Sequence, residues 1–287
     1  MRESHASTGD LVDESAVSSP CLLAPRPLHT MPTEIARGIR LLVSDIDGTV
    51  TTDRRLAIDT LRRFQELYDN GVVVVLVTGR PAGWAAALAQ YLPGVKAVLS
   101  ENGAVLSVAN MDTPPIRLDQ LTDDELAERG FRISGCLTAI REVYPQIKMG
   151  VENSFRLTDV TFEVDPSIDP DRVAAMARAA GVRHTFSSVH HHLSISDLNK
   201  RTGLTHALAL IAPEMAGDLT TVAVTLGDSV NDAPLFESGW FAATVGVSGV
   251  RKSLAALSGA CPDYITRADA SQGFLELAML LLRSHST

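Results

Sequence analysis

Two aspartates lie two residues apart in the segment RLLVSDIDGTV, where Asp45 and Asp47 follow a short apolar run. Carboxylates this close repel each other, and each loses hydration if the run is a buried strand. The pair therefore indicates either a solvated turn or a site that needs a cation. Two more carboxylates, Asp228 and Asp232, lie in GDSVND after the apolar run TVAVTL. Such an oxygen-rich set is typical of a site for Mg²⁺, a hard cation that prefers oxygen ligands.

Two further polar clusters lie beside predicted strands or helices. Thr78, Gly79 and Arg80 follow the run VVVVLV, and Asn199 and Lys200 precede a predicted helix. A threonine hydroxyl can donate to phosphate oxygens, glycine lets the backbone approach a ligand, and lysine supplies a point positive charge. Ligands of open α/β sheets bind beyond the carboxyl ends of the strands, so the four clusters predict one common site.

Alternating strand and helix patterns surround these clusters. Continuous apolar runs predict buried strands at 40–45, 72–77 and 221–226, and helical spacing of apolar residues predicts helices at 56–69 and 82–91. Strands that alternate with helices in this way predict an α/β fold with a Rossmann-like parallel sheet.

The middle of the chain has a different pattern. Residues 107–193 combine two helical segments with short alternating strands, which predicts an inserted α+β unit. The ranges 37–106 and 194–287 would then form one core domain, with the insertion as a cap over the strand ends. Residues 1–36, rich in serine, proline and charge, predict a disordered tail, and Met31 is an alternative start of the natural protein.

Composition excludes several kinds of partner. The chain has 287 residues, 45% hydrophobic and 21% charged, which is ordinary for a globular protein. A net charge of −9 argues against binding to nucleic acid, and no apolar run approaches the length of a membrane span. The three cysteines lie far apart, with neither metal-ligand spacing nor an even disulfide set, which predicts a cytoplasmic location. The oligomeric state has no signal in the sequence.

The segments DIDGT, TGR, NK and GDSVND, in this order, resemble the four signature motifs of the haloacid dehalogenase superfamily of phosphohydrolases. The position of the insertion, between the second and third motifs, is similar to that in the sugar-phosphatase-like branch with a type IIB cap, the Cof-like proteins. SENGAVL, at 100–106, also resembles the segment that leads into that cap. The resemblance implies a catalytic core with an α+β cap that selects the substrate. Arg201 departs from the pattern, because glycine is common there in that branch.

The resemblance implies a Mg²⁺-dependent phosphatase that hydrolyses a small, sugar-like phosphate monoester through an aspartyl-phosphate on Asp45. Asp47 would protonate the leaving oxygen with a side chain kept free for protons, and Lys200 would complete the catalytic set. The metal ligands would be the carboxylates of Asp45 and Asp228 and the backbone carbonyl of Asp47. Asp232 would either hold a water bound to the metal or orient Lys200.

The substrate-binding residues would come from the loops and from the cap: Thr78, Gly79, Arg80, Asn102, Arg156 and Asn231. Charge pairing on a surface strand is an alternative for Arg156, and a helix N-cap is an alternative for Asn231. Consecutive residues of a strand point to opposite faces, so His190, His191 and His192 are not expected to bind one ion together. A solvated strand or a contact made by the cap is expected for them instead.

Two other functions remain open. A phosphotransferase or phosphosugar mutase of the same superfamily would pass the phosphoryl group to a sugar hydroxyl instead of water. A catalytically idle sugar-phosphate-binding protein is the third possibility. Asp45 and Asp47 argue against it, because binding alone requires neither a nucleophile nor an acid.

Overall fold

The computed structural model describes residues 24–110, 113–186, 190–257 and 259–285. Within these residues, a sheet of nine strands forms the core domain and a sheet of three strands forms the inserted unit. The strands are β1 (Arg26–Pro27), β2 (Leu41–Ser44), β3 (Val73–Val77), β4 (Val95–Ser100), β5 (Val105–Val108), β6 (Ile116–Arg117), β7 (Asp159–Glu163), β8 (Arg183–Phe186), β9 (His190–Ser194), β10 (Ala223–Gly227), β11 (Ala243–Gly246) and β12 (Tyr264–Ile265).

The helices of the described residues alternate with the strands in the core and form two longer segments in the inserted unit. They are α1 (Thr33–Gly38), α2 (Ile58–Asp69), α3 (Ala82–Tyr91), α4 (Asp123–Val143), α5 (Pro170–Ala179), α6 (Lys200–Ile211), α7 (Pro213–Ala216), α8 (Leu219–Val222), α9 (Ala233–Phe236) and α10 (Ala270–His285). The predicted α/β class with an inserted α+β unit is confirmed.

The nine-stranded sheet has the order β1-β12-β11-β10-β2-β3-β4-β5-β6. Neighbouring strands are parallel from β1 to β4, and β5 and β6 continue the sheet in antiparallel fashion. Strand β2 lies between β10 and β3, and its four residues are buried. The carboxyl ends of these three central strands therefore lie side by side, which brings the loops that follow them together.

Helices cover both faces of the core sheet. On one face, Phe64 of α2 and Phe274 of α10 pack with their ring centroids 5.2 Å apart. On the other face, Leu204 and Leu208 of α6 pack against the apolar side chains of β2 and β3. Leu118, where the chain leaves the core sheet, also belongs to this second apolar cluster. The point at which the chain leaves the core therefore packs against α6, the helix with which it returns.

The inserted unit has its own apolar core. Its sheet has the antiparallel order β7-β9-β8, and α4 and α5 pack on one face of it around Phe162 and Leu193. Helix α4 begins with a capping box between Thr122 and Glu125, and α5 begins at the N-cap Asp169. The other face of this sheet carries buried polar side chains and faces the core domain.

Two predicted boundaries differ from the structure. The described part of the predicted tail is folded: β1 pairs with β12, and Leu28 and Met31 are buried in the main core. A strand of two residues and a single 3₁₀ turn have no periodicity that a sequence pattern could reveal. Strands β5 and β6 belong to the core sheet, so the cap begins later than predicted. Residues 1–23 of the predicted tail lie outside the described residues.

The cysteines also differ from the prediction. Cys136 is a free thiol in the core of the inserted unit, whereas Cys261 is disulfide-bonded. The predicted cytoplasmic location therefore loses the support that cysteine spacing gave it. None of the helices in the described part of the chain combines the length and the apolar content that a membrane span requires.

Candidate active site

Lys200 lies at the centre of the site and bridges two carboxylates. Its Nζ atom is 2.6 Å from Oδ1 of Asp45 and 2.6 Å from Oδ1 of Asp232, and all three side chains are buried. Burial lowers the pKa of Lys200, but Asp232 and Asp45 outweigh this and raise that pKa above its ordinary value. The lysine is therefore a protonated ammonium, and the two carboxylates make its burial possible.

The backbone of α6 sets the position of this lysine. Asn199 is the N-cap of the helix, and its side-chain oxygen accepts hydrogen bonds from the backbone N–H groups of Arg201 and Thr202. Gly203 packs against the loop that follows β4, since a Cβ on Gly203 would lie 2.0 Å from the carbonyl oxygen of Gly103. Arg201, the departure from the family pattern, pairs with Glu237 and does not displace Lys200.

Asp228 completes a cluster of three carboxylates. One oxygen each of Asp45, Asp228 and Asp232 lie within 4.8 Å of one another. Burial and the charge of Asp232 raise the pKa of Asp228 to about 7. Burial raises the pKa of Asp45 well above its ordinary value although Lys200 acts in the opposite direction. With all three carboxyl groups ionised, the cluster would have two negative charges that Lys200 does not compensate, which is why the pKa values of Asp45 and Asp228 are raised.

The donor set fits a divalent hard cation. Asp45 and Asp228 offer carboxylate oxygens, the ligands that Mg²⁺ prefers, and the excess of two negative charges matches its charge. Asp232 is less available as a metal ligand, because its Oδ1 accepts a hydrogen bond from Lys200 and its Oδ2 accepts from the backbone N–H groups of Asp228 and Ser229. Of the two roles expected for Asp232, this arrangement favours orientation of Lys200.

The loop after β2 lies directly against Asp228. Gly48 has a φ of 82°, and a Cβ at this position would lie 2.7 Å from Oδ2 of Asp228. Thr49 donates a hydrogen bond to Oδ1 of Asp228 at 3.3 Å. The Asp-Gly-Thr sequence thus supplies a close backbone approach and a hydrogen-bond donor to the third carboxylate.

The Asp47 side chain is paired, whereas the sequence predicted that it stays free. Nε and Nη2 of Arg80 donate to the two oxygens of Asp47 at 2.7 and 2.8 Å. Nη1 of Arg80 donates to Oε1 of Glu152 in the inserted unit at 2.5 Å, and the guanidinium lies 4.9 Å above the ring of Trp84. A planar guanidinium matches a carboxylate through two parallel hydrogen bonds, which explains the pairing. Arg80 is therefore fully engaged by protein groups in this structure.

The loop after β3 carries groups suited to an anion. Thr78 is buried, and its Oγ1 accepts from the backbone N–H of Arg80 at 3.0 Å. Asn102 has a left-handed φ of 57°, and its backbone N–H donates to the carbonyl of Thr78. Its buried Oδ1 accepts no hydrogen bond among the described residues. A Cβ on Gly79 would lie 3.3 Å from that oxygen, so the Asn102 amide points at this loop.

Two other predicted substrate residues make protein contacts. Nη1 of Arg156 donates to the carbonyl of Gly79 at 3.0 Å and to both oxygens of Asp159, and its side chain is buried. Asn231 lies beside Asp232 and accepts a hydrogen bond from the hydroxyl of Ser229 at 2.6 Å. The structure thus brings every predicted site residue to one edge of the core sheet, with Arg156 reaching it from the inserted unit.

Glu101 is a buried contact between the two units that the sequence analysis missed. Its carboxylate accepts from the backbone N–H of Ala82 in the core, and from Leu157 and Thr158 in the inserted unit, at 2.6 to 3.1 Å. The segment SENGAVL carried the only signal, since it drew attention to residues 100–106 without indicating a role for this carboxylate. The Glu101 carboxylate of the core therefore accepts hydrogen bonds from the backbone of the cap.

The chain is similar to curated proteins over most of its length. Residues 42–128 match the family described as haloacid dehalogenase-like hydrolase. Phosphoglycolate phosphatase of Methanoculleus marisnigri is 30% identical over 242 residues, which cover 83% of this chain and 94% of that protein. Phosphoglycolate phosphatase of Methanococcoides burtonii is 28% identical over 239 residues, with the same two shares.

Solved structures have the same fold. Sucrose-phosphatase from Synechocystis, determined with sucrose and phosphate, has a TM-score of 0.62 at 21% identity and covers 85% of this chain and 98% of its own. A Thermoplasma acidophilum protein has a TM-score of 0.62 at 21% identity and covers 87% of this chain and 99% of its own. Together with the motif residues assembled at the strand ends, these similarities show that the chain is an enzyme of the haloacid dehalogenase-like hydrolase family.

Proposed function

We propose that the protein is a Mg²⁺-dependent phosphatase that hydrolyses a small phosphate monoester through an aspartyl-phosphate on Asp45. The observation that supports this most is the buried Asp45 carboxylate, which lies 2.6 Å from the Lys200 ammonium and beside Asp228. A carboxylate held in this way can approach phosphorus while the ammonium compensates charge on the transferring group.

The two negative charges left in the cluster favour a bound Mg²⁺, held by Asp45 and Asp228. When bound, it would neutralise charge on the phosphoryl oxygens. The chain itself would supply the remaining groups. The hydroxyl of Thr78, the backbone at Gly79 and the Asn231 amide would hold the phosphoryl oxygens in line with Asp45.

Asp47 would act as the acid and then as the base. It would give a proton to the leaving oxygen in the first step and take one from the attacking water in the second. Arg80 would position this carboxyl group through its two hydrogen bonds. Before the first step, Asp47 must therefore release one of these hydrogen bonds, take up a proton on that oxygen and turn it toward the substrate.

The proposed substrate is a small phosphorylated molecule. The relatives named phosphoglycolate phosphatase match 83% of this chain, which favours a short carboxylated ester as the first candidate. A sugar phosphate, suggested by the family motifs and by the fold shared with sucrose-phosphatase, is the second. A cytoplasmic location stays a prediction that cell fractionation would test.

Phosphate release tests this function. The purified protein would be assayed with 2-phosphoglycolate, a hexose phosphate and p-nitrophenyl phosphate, each in Mg²⁺ and in EDTA. We expect turnover in Mg²⁺ and no turnover in EDTA. We also expect Asp45→Asn to reduce kcat by about 10³-fold or more, as loss of a nucleophile does. Unchanged circular dichroism would show that the variant is folded.

The same assay separates the alternatives. Retained activity in D45N would contradict the assignment of Asp45 as the nucleophile. Absence of turnover for every ester would favour the catalytically idle binding protein. Transfer of the phosphoryl group to an added sugar, seen by product analysis, would favour the phosphotransferase or mutase.

A further inference from the structure

Strand β9 of the inserted unit places one histidine against the loop at Gly79. A Cβ on Gly79 would lie 3.4 Å from Cε1 and 3.5 Å from Nε2 of His192. His191, its neighbour, points the other way and stacks on Phe162 in the cap core, with ring centroids 4.7 Å apart. The alternation of the strand therefore sends His192 toward the site and His191 away from it.

Asp159 fixes the orientation of the His192 ring from the side opposite Nε2. Its Nδ1 lies 2.7 Å from Oδ2 of Asp159, which Arg156 also holds by two hydrogen bonds. Burial raises the pKa of Asp159, but His192 and Arg156 outweigh it and hold that pKa below its ordinary value. Asp159 is therefore an acceptor, and Nδ1 carries the proton that it accepts. A carboxylate behind an imidazole fixes the tautomer and the ring plane, which leaves Nε2 facing Gly79.

A second polar group faces the same place from the core. The Oδ1 atom of Asn102 is buried, accepts no hydrogen bond among the described residues, and would lie 3.3 Å from a Cβ on Gly79. The residue keeps a left-handed φ of 57°, a conformation that few non-glycine residues adopt. A buried polar group without a partner is costly, and such groups occur where a ligand satisfies them.

We propose that His192 and Asn102 bind a second polar group of the substrate, a hydroxyl on the carbon next to the phosphate-bearing carbon, which can donate a hydrogen bond to Nε2 of His192 or to Oδ1 of Asn102. The inference rests on the proposed function, because Gly79 lies in the loop proposed to hold the phosphoryl group. Both side chains lie within a few ångströms of that loop, so the group they bind is separated from the phosphate by few bonds. His192 is then a specificity-determining residue supplied by the cap.

Three matched two-carbon esters test this inference. Ethyl phosphate has no second polar group, 2-hydroxyethyl phosphate has a hydroxyl, and 2-phosphoglycolate has a carboxylate. His192→Phe keeps a ring and removes both nitrogens. We expect it to lower kcat/KM for 2-hydroxyethyl phosphate by about 10- to 100-fold, and to change kcat/KM for ethyl phosphate and 2-phosphoglycolate by less than about threefold. Asn102→Ala is expected to show the same selective loss.

His191→Phe is the matched control, because it makes the same change at the neighbour that faces the cap core. It should leave the ratio of the kcat/KM values unchanged. If H192F does not fold, His192→Asn replaces it: the shorter amide can still reach Asp159 but not Gly79. The inference is overturned if H192F lowers kcat/KM for all three esters equally, if it lowers none, or if wild type does not prefer 2-hydroxyethyl phosphate to ethyl phosphate. Absence of turnover by wild type would instead contradict the proposed function.

Discussion

Arg80 holds Asp47 through two parallel hydrogen bonds of 2.7 and 2.8 Å, and the same guanidinium reaches Glu152 of the cap at 2.5 Å. The proposed acid is therefore linked to the cap through one side chain. The pair lies beside the three-carboxylate cluster without belonging to it. The arginine thus contacts both the proposed acid and the cap, while Lys200 pairs separately with Asp45, the proposed nucleophile.

Replacement of Arg80 by lysine tests this arrangement. Lysine keeps the charge but cannot make two parallel hydrogen bonds, so Asp47 loses its fixed orientation. We expect R80K to lower kcat by about 10- to 100-fold, a part of the roughly 10²- to 10⁴-fold that acid–base catalysis contributes, with a smaller change in KM. Glu152→Gln is the control, since it weakens the contacts of Glu152 with Arg80 and Arg156 and leaves the pair between Arg80 and Asp47 in place. R80K with wild-type kcat would contradict the positioning role.

Lys200→Met should destabilise the protein strongly. Removal of the ammonium leaves Asp45 and Asp232 buried without their common partner, and breaking a buried ion pair on one side costs about 3–5 kcal/mol. Urea unfolding in EDTA at neutral pH would measure this loss. Lys252→Met, at an exposed lysine, should stay within about 0.5 kcal/mol of wild type. Equal stability of K200M and wild type would show that the ion pairs contribute nothing.

Stability should depend on pH through Asp228, whose pKa is raised from 3.8 to about 7. Between these two values the folded protein binds more protons than the unfolded chain, so the free energy of unfolding falls as the pH rises. In EDTA we expect lower stability at about pH 8 than at about pH 5.5, with Mg²⁺ raising stability most at the higher pH.

Thermal or urea unfolding across this range would measure the effect. Asp228→Asn removes the titrating group, so its stability in EDTA should vary less with pH than that of wild type. Identical pH dependence of wild type and D228N would rule out Asp228 as the source. Half-buried His184 and buried His191, whose pKa values are lowered to about 4, act with the opposite sign, which makes the comparison with D228N necessary.

Gly203→Ala should disturb both stability and catalysis. The added methyl would lie 2.0 Å from the carbonyl oxygen of Gly103, so α6 must shift, and Lys200 lies less than one turn away. We expect a loss of about 1–3 kcal/mol, typical of overpacking, and a lower kcat. Gly217→Ala is the control, since a Cβ there meets nothing within 4 Å. A G203A protein as stable and active as wild type would contradict the close packing.

The elements of the core could be predicted because their patterns are local. The β-branched run that forms β3 and the helical spacing of Ile58, Leu61 and Phe64 in α2 do not depend on distant residues. The parallel order of the strands then placed Asp45 and Thr78 at one edge of the sheet. The two-residue strand β1 had no pattern, and it was missed for that reason.

The contacts between the core and the cap could not be predicted in the same way. Arg80 and Glu152 are far apart in the sequence, and their pairing depends on how the cap rests on the core. The same holds for Glu101, which accepts from Thr158, and for His192, which faces Gly79. Sequence patterns indicate which side chains can do chemistry, whereas tertiary packing decides which of them are already bound to one another.

The chain leaves the core at Leu118 and returns at Asn199, and these two points are close because Leu118 packs with α6, the helix that Asn199 caps. The core could therefore be closed by a short connection, and insertions of other lengths could enter at the same place without moving the carboxylates. The carboxylate cluster of the core and the length of the insertion can consequently change separately. Any replacement cap would still need donors for Glu101 and an acceptor for Arg80.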